Sequence, residues 1–139
     1  MGAWGYGPFE NDGALDCVGD LSDAAPDAIR SGLLGTMREV SDSKGYIENP
    51  EADAAVAAAV LVAARLGADP GSPSAVDLLA SHPFEADGEL RLEALRVFDR
   101  VTDPRENEWH ELWADGGALD KVLELLRPYR ERLAAGDSA

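Results

Sequence analysis

The apolar residues of this chain are concentrated at 54–64, where the sequence AAVAAAVLVAA is apolar on every side. A helix that is apolar all round must be buried, either in a protein core or in a membrane. As a helix this run of eleven residues spans about 16 Å, whereas a helix needs roughly 20 apolar residues to cross a bilayer. The pattern therefore predicts a buried central helix, with Asn49 as its N-cap, Pro50 at its first position and Gly67 at its end. Glu51 and Asp53 are expected to complement the helix dipole near its start.

The other periodic segments also carry their apolar residues at helical spacing. Further helices are predicted at 12–24, from Pro26, at 75–80, at 88–102, at 106–114 and from Ala118 onward, where Pro128 should kink or restart the helix. No stretch shows the sustained alternation of a strand. We therefore expect a single all-α domain, 1–139, that forms a bundle of about six helices.

Three of these helices have a predicted apolar face. In the helix at 12–24, which Asn11 or Asp12 should cap, the expected apolar stripe is Leu15, Val18 and Leu21. In the helix that starts at Pro26 the residues spaced to face the core are Ile29, Leu33, Leu34, Met37 and Val40. In the helix at 88–102 the apolar stripe is Leu90, Ala94, Val97, Phe98 and Val101. The opposite, salt-bridged face of that helix is formed by Glu89, Glu93, Arg96 and Arg100.

The first ten residues follow a different pattern, in which glycines alternate with aromatic residues. Gly2, Gly5 and Gly7 alternate with Trp4 and Tyr6, and 8–9 are Pro-Phe. Glycine permits unusual backbone angles, while the aromatic side chains need apolar surface to cover them. We expect 1–10 to be an irregular arm packed across the bundle, and the tail 136–139 to be loose. A phosphate loop is not indicated, because no strand precedes the glycines and no GK[ST] follows.

The opening of the chain resembles a bacterial family of unknown function, the DUF4259 family. The typical family motif is G-x-W-G-x-G-P-F-x-N-D-x-A-x-D-F-x-x-D-L. The residues that match it are Gly2, Trp4, Gly5, Gly7, Pro8, Phe9, Asn11, Asp12, Ala14, Asp16, Asp20 and Leu21. Cys17 stands where the family usually has Phe, while the segment 111–113 and the alanine-rich central helix are also similar to the family. The resemblance implies no activity, since none is established for the family.

Charge and cysteine content narrow the classes of partner and compartment. The formal net charge is −15, and the sequence pI is about 4.3. A chain this acidic repels nucleic acid and anionic membranes, so we expect neither as a partner. Cys17 is the single cysteine, which suits a reducing compartment. The N-terminal sequence lacks the basic start and apolar run of a secretory signal, so the predicted location is the cytoplasm.

The sharpest candidate for function is an acidic stripe formed by Asp12, Asp16, Asp20 and Asp23. These residues share one helical face, and no basic residue precedes Arg30. Like charges at this spacing repel, so something should compensate them. Three interpretations follow: arginines from neighbouring helices, such as Arg91, Arg96 or Arg130, pair with the stripe; a basic protein partner covers it; or a divalent cation binds there.

The remaining reactive residues favour structural roles. His82 and His110 are the two histidines, and with one cysteine they give no standard zinc spacing. Cys17 has acidic neighbours, which raise the pKa of a thiol, and so it is interpreted as a small buried residue. Trp109 and Trp113 lie on one helical face and are expected in the core or beneath the arm. No cofactor and no metal site are predicted.

No coherent catalytic set can be assembled from these residues. The sequence therefore favours a non-enzymatic protein-interaction module, of which an immunity or antagonist protein that neutralises a basic target is one concrete version. The alternative is a metal-dependent hydrolase that uses Asp12, Asp16 and Asp20. Metal analysis of the purified protein separates these two hypotheses.

Overall fold

A computed structural model describes residues 5–135, which form seven α-helices and one short 3₁₀ segment. The helices are α1 (Asp12–Asp23), α2 (Ile29–Ser41), α3 (Asn49–Arg65), α4 (Pro73–Ser81), α5 (Gly88–Val101), α6 (Glu108–Asp115) and α7 (Leu119–Ala135). The 3₁₀ turn Pro26–Ala28 leads into α2. The described residues contain no strand, and the predicted all-α bundle is confirmed. Between residues 5 and 135 no helix combines the length and apolar character that crossing a membrane requires.

Helix α3 is the centre of the bundle, as its apolar sequence predicts. Every residue from 55 to 63 is buried, and Val60, Leu61 and Val62 are fully so. Helices α1, α2 and α5 make the most extensive contacts with α3, and α4, α6 and α7 pack against it as well. The many alanines of α3 let these neighbours approach its backbone on all sides.

The start of α3 differs from the predicted cap. The N-cap is Glu48, which makes no side-chain capping bond, and Asn49 is the first helical residue. The Asn49 amide N–H donates to the carboxylate Oε1 of Glu108 at 2.7 Å, and the Asn49 side chain donates to Asp53. The predicted Asn49 cap is therefore wrong, because a carboxylate from the distant helix α6 takes that role.

Helix α1 begins with the predicted side-chain cap. The Oδ1 atom of Asn11 accepts a hydrogen bond from the Ala14 N–H at 2.7 Å. The buried face of α1, however, is Ala14, Cys17, Val18 and Leu21. Leu15 is 41% exposed, so its assignment to the apolar stripe is wrong: it lies one position away from the i, i+3, i+4, i+7 pattern that faces the core.

The predicted core faces of the next helices are confirmed more closely. Helix α2 buries Ile29, Leu33, Leu34, Met37 and Val40, and α5 buries Leu90, Ala94, Val97, Phe98 and Val101. Glu93 is the exception on the polar face of α5, because it is only 4% exposed.

The C-terminal helices depart from prediction in their boundaries. Helix α6 begins at Glu108 rather than Glu106, because Asn107 caps it by accepting from the His110 N–H. Glu106 has a positive φ of 48° and so cannot continue a helix. Helix α7 runs from Leu119 to Ala135 with Pro128 inside it.

The arm is irregular over its described part, residues 5–10. Phe9 is buried, and the Tyr6 ring lies against Trp113 with 5.9 Å between ring centroids. Trp109 is buried at 2% exposure, in agreement with its predicted core position. Trp4 and the tail 136–139 lie outside the described residues, so the predicted burial of Trp4 and the loose tail stay predictions.

Candidate functional site

A groove of about 520 Å³ is lined by residues of α1, α2 and the start of α3. Most of its lining side chains are small, and they come from these helices and from the segment that joins α1 to α2: Gly13, Cys17, Ala24, Ala28, Ser31, Gly32, Thr36 and Ala54. We call this feature the acidic groove, for the carboxylates described next.

Two glycines account for the shape of the acidic groove. A Cβ on Gly13 would lie 2.7 Å from the Pro50 carbonyl oxygen, so α1 approaches α3 closely because residue 13 has no side chain. A Cβ on Gly32 would lie 2.6 Å from the Leu21 side chain, across the boundary between α2 and α1. Gly32, which weakens α2 by roughly 1 kcal/mol relative to alanine, therefore lets Leu21 of α1 pack closely against α2.

Four carboxylates line the acidic groove, and they come from all three helices. Asp16 and Asp20 belong to α1, Glu39 to α2 and Glu51 to α3. All four residues are exposed. Within residues 5–135 none of these four carboxylates accepts a hydrogen bond or forms an ion pair.

Two of these four carboxylates were predicted from the sequence as candidate site residues. Asp16 and Asp20 were predicted as part of the stripe, whereas Asp12 and Asp23 lie outside the groove lining and are exposed on the same helix. Glu39 and Glu51 were missed as site residues, because nothing in their spacing shows that α2 and α3 present them towards α1.

The predicted neutralisation of the stripe by arginines is wrong for the three arginines named. The Nε of Arg91 donates to the Leu133 carbonyl oxygen, Arg96 pairs with Asp42 and Glu93, and Arg130 pairs with Asp99. Like Asp16 and Asp20, Asp12 and Asp23 have no partner in the described part of the chain. The stripe therefore stays bare, and the repulsion between its carboxylates is unrelieved.

The arginines of α2 are directed to the other side of that helix, towards α5. Arg30 pairs with Asp87 and Glu89, while Arg38 pairs with Glu89 and Glu93. We call this set, together with Arg96, Ser41 and Asp42, the α2–α5 network. Helix α2 thus has a paired face and a bare face.

A comparison with known proteins identifies the family of this chain. A family model described as "Domain of unknown function (DUF4259)" matches residues 2–124 of the 139-residue chain. The chain belongs to the DUF4259 family. No curated protein and no solved structure matches this chain. Membership in DUF4259 confirms the resemblance predicted from the sequence. It indicates no activity, because the family is described as a domain of unknown function.

The cysteine that replaces the usual Phe of the DUF4259 motif lies directly behind the acidic stripe. Cys17 is 6% exposed, and its thiol is free. Burial, and secondly the charge of Asp20, raise the pKa of this thiol to about 12. A thiol with such a pKa is protonated at neutral pH, which fits the predicted packing role and disfavours nucleophilic chemistry.

Asp53 differs both from the exposed carboxylates of the acidic groove and from those paired with arginine, because it is buried where α3 meets the arm. Asp53 is 6% exposed and accepts hydrogen bonds from the Asn49 amide and the Trp109 side chain. Burial raises the pKa of Asp53 to about 7, although these two hydrogen bonds act in the opposite direction. Asp53 was predicted only to complement the dipole of α3, although a lone acid beside an apolar run signals burial.

The two histidines of this DUF4259 chain are far apart in role. His82 is buried, and its ring nitrogens lie 2.7 Å from the Ser81 hydroxyl and 3.0 Å from the Ala24 carbonyl oxygen. His110 lies in the first turn of α6. In the described part of the chain no three His, Cys, Asp or Glu side chains come close enough together to hold a metal ion.

Proposed function

We propose that this DUF4259 protein is a non-enzymatic protein-interaction module whose acidic groove receives a basic segment of another protein. One observation carries the proposal. Asp16, Asp20, Glu39 and Glu51 are exposed and unpaired around one groove, although the same chain pairs arginines with carboxylates elsewhere. A cationic partner would relieve a repulsion that the protein itself leaves in place.

The shape of the acidic groove supports a protein segment as the occupant. The groove measures about 520 Å³, and its small side chains leave room for those of an incoming helix. Amphipathic helices bind such grooves by placing apolar residues on the floor and charged residues at the rim. The partner chemistry that fits is a helix with small apolar residues on one edge and lysine or arginine beside them.

An immunity or antagonist role in the cytoplasm is the concrete version of this proposal. The net charge of −15 steers a basic target towards the protein over long distances, and salt weakens that attraction. The lone, buried thiol of Cys17 is consistent with a reducing compartment.

The test is a titration of the isotope-labelled protein with a synthetic helical peptide that carries arginines along one face and alanines along the other. We expect saturable amide shifts at Gly13, Gly32 and Ala54, and an affinity that falls as salt is added. The variant Asp16→Asn with Glu39→Gln should bind roughly tenfold more weakly than the wild type.

A matched control removes the same charge away from the groove. Asp77→Asn with Glu131→Gln changes one Asp and one Glu that are exposed on α4 and α7. If this control weakens peptide binding as much as the groove variant does, the attraction is due to net charge alone, and the groove proposal fails.

The metal-dependent hydrolase remains the second hypothesis, since the unpaired carboxylates of Asp16 and Asp20 are oxygen ligands of the kind that Mg²⁺ and Ca²⁺ bind. Calorimetric titration of the protein with Mg²⁺, Mn²⁺ and Ca²⁺ separates it from the first. Saturable binding of one of these cations that is lost in Asp16→Asn with Asp20→Asn would favour the hydrolase; its absence would favour the interaction module.

A further inference from the structure

A second groove, of about 600 Å³, lies between the end of α3 and the start of α5. Two arginines line it, Arg65 from α3 and Arg91 from α5, together with the ring of Phe84 from the intervening loop. We call it the arginine groove. Its volume is in the range of small-molecule sites, which run from roughly 300 to 1,000 Å³.

Arg65 is held in position without a counter-charge. Its Nη2 donates to the Leu79 carbonyl oxygen at 2.6 Å, and its guanidinium carbon lies 4.7 Å from the centre of the Phe84 ring. The Nε of Arg65 is buried and has no hydrogen-bond partner within residues 5–135. Burial lowers the pKa of this guanidinium, because no carboxylate nearby compensates for the lost water.

Arg91 is also without a carboxylate partner in the described part of the chain. Its one hydrogen bond there runs from Nε to the Leu133 carbonyl oxygen at 3.4 Å, so its Nη atoms make none. Elsewhere in the described part of the chain, six arginines pair with carboxylates: Arg30, Arg38, Arg96, Arg105, Arg127 and Arg130. Around the arginine groove, by contrast, two guanidiniums lie without a carboxylate partner in a chain that carries 27 acidic and 12 basic residues.

The acidic residues that line the arginine groove do not neutralise it. Asp87 is engaged by Arg30 and by the Leu90 N–H, and this pairing holds the pKa of Asp87 below its usual range. Glu85 is exposed and forms no bond with either arginine of the groove. Gly88, the first residue of α5, also lines the groove, so the positive end of that helix faces it.

We propose that the arginine groove binds a small oxyanion, a phosphate or a carboxylate, through Arg65 and Arg91. A guanidinium presents its N–H donors in a planar fork that matches two oxygen atoms of either group. The Phe84 ring, 4.7 Å from the guanidinium carbon of Arg65, fixes the plane of that guanidinium.

The test is a titration of the labelled wild-type protein, at constant ionic strength, with inorganic phosphate, with succinate and with chloride. We expect saturable amide shifts at Ala86, Gly88 and Arg91 with phosphate or succinate, and none with chloride. The oxyanion that binds more tightly identifies the ligand class as phosphorylated or carboxylic. Absence of saturable shifts with both oxyanions would overturn the proposal.

Three variants assign the effect to the groove. Arg91→Gln removes one ligand with little structural cost, since it loses a single long hydrogen bond, and it should weaken binding roughly tenfold or more. Arg65→Lys keeps the charge but loses the fork, and it should also weaken binding. Arg105→Gln, an exposed arginine outside the groove, is the control and should bind as the wild type does. Equal affinity in Arg91→Gln and the wild type would contradict the proposal.

Discussion

The two faces of α2 show opposite treatments of the same kind of residue. Towards α5, Arg38 and Arg96 both reach Glu93, a carboxylate that is only 4% exposed and that also accepts from the Ser41 hydroxyl. Towards α1, the carboxylates of the acidic groove face solvent without a partner. The buried carboxylate on the α5 side is therefore paired with arginine, whereas the carboxylates of the groove are left to solvent, and we expect the latter to be dispensable for folding.

The carboxylates of the paired face also differ among themselves in how much they should contribute to stability. Pairs between exposed side chains contribute little to stability, and most members of the α2–α5 network are at least one-third exposed. Glu93 is the member whose loss should matter, because burial removes the water that would otherwise compensate for its partners.

Helix α3 packs against α1, α2 and α5, so disrupting it should abolish both the acidic groove and the α2–α5 network. Val60→Asp places a charge at a fully buried position and should cost roughly 5 kcal/mol or more, enough to prevent folding at marginal stability. Val76→Asp on α4, at a position 52% exposed, is the matched control and should melt close to the wild-type temperature. Thermal unfolding followed by circular dichroism measures both; a Val60→Asp variant that melts like the wild type would refute the central role of α3.

Asp53 is a buried carboxylate without an arginine partner in the described part of the chain, and it should make the stability of the protein depend on pH. Its pKa in the folded protein, about 7, lies above the usual 3.8, so the folded state holds a proton that the unfolded state has released between these values. The free energy of unfolding should therefore fall as the pH rises from about 4 to about 7, by on the order of 3–4 kcal/mol.

Asp53→Asn cannot ionise and should lose this dependence. Urea unfolding of the wild type and the variant at several pH values between 4 and 8 checks it, because contributions from other carboxylates cancel in the difference. The variant should gain stability relative to the wild type as the pH rises. A difference that is constant with pH would show that Asp53 titrates normally.

Glu93→Gln tests the paired face directly. The amide keeps the shape of the side chain but loses the charge that Arg38, Arg96 and Ser41 address, which should lower the free energy of unfolding by about 2 kcal/mol. Glu89→Gln, in the same network but half exposed, should cost much less. Equal losses in the two variants, measured by urea unfolding at neutral pH, would mean that burial of Glu93 does not set its importance.

Neutralising the α1 carboxylates of the acidic groove should change the free energy of unfolding in the opposite direction to Glu93→Gln, and by the smallest amount. Asp16→Asn with Asp20→Asn removes a repulsion between residues four apart and should raise the free energy of unfolding by no more than about 0.5 kcal/mol. Added salt should narrow the gap between the variant and the wild type, since salt screens the same repulsion. A variant less stable than the wild type at low salt would show that the stripe has a stabilising partner after all.

The sequence sufficed for those parts of the fold that depend on periodicity. The apolar run at 54–64 and the spacing of the core residues in α2 and α5 predicted their burial correctly. Leu15 was misplaced because the stripe of α1 follows Ala14 and Cys17, small residues whose apolar character a sequence pattern weights lightly.

The candidate site was less predictable, because it depends on contacts between distant segments. Asp16 and Asp20 share a helix and were found, but their groove partners Glu39 and Glu51 belong to helices whose orientation the sequence does not contain. The partners of Arg30 and Arg38 are more than fifty positions away. Asp53 escaped because helix-start chemistry explained it equally well before its burial was known.

The bond between the Asn49 N–H and Glu108 has a consequence for how the protein is made. Pro50 has no N–H, so Glu108 supplies a side-chain acceptor for one of the few donors at the start of the central helix, across 59 positions of sequence. During synthesis α3 leaves the ribosome well before Glu108 does. Its first turn therefore lacks this acceptor at first, and the start of the apolar helix that organises the bundle is completed only after Glu108 has emerged.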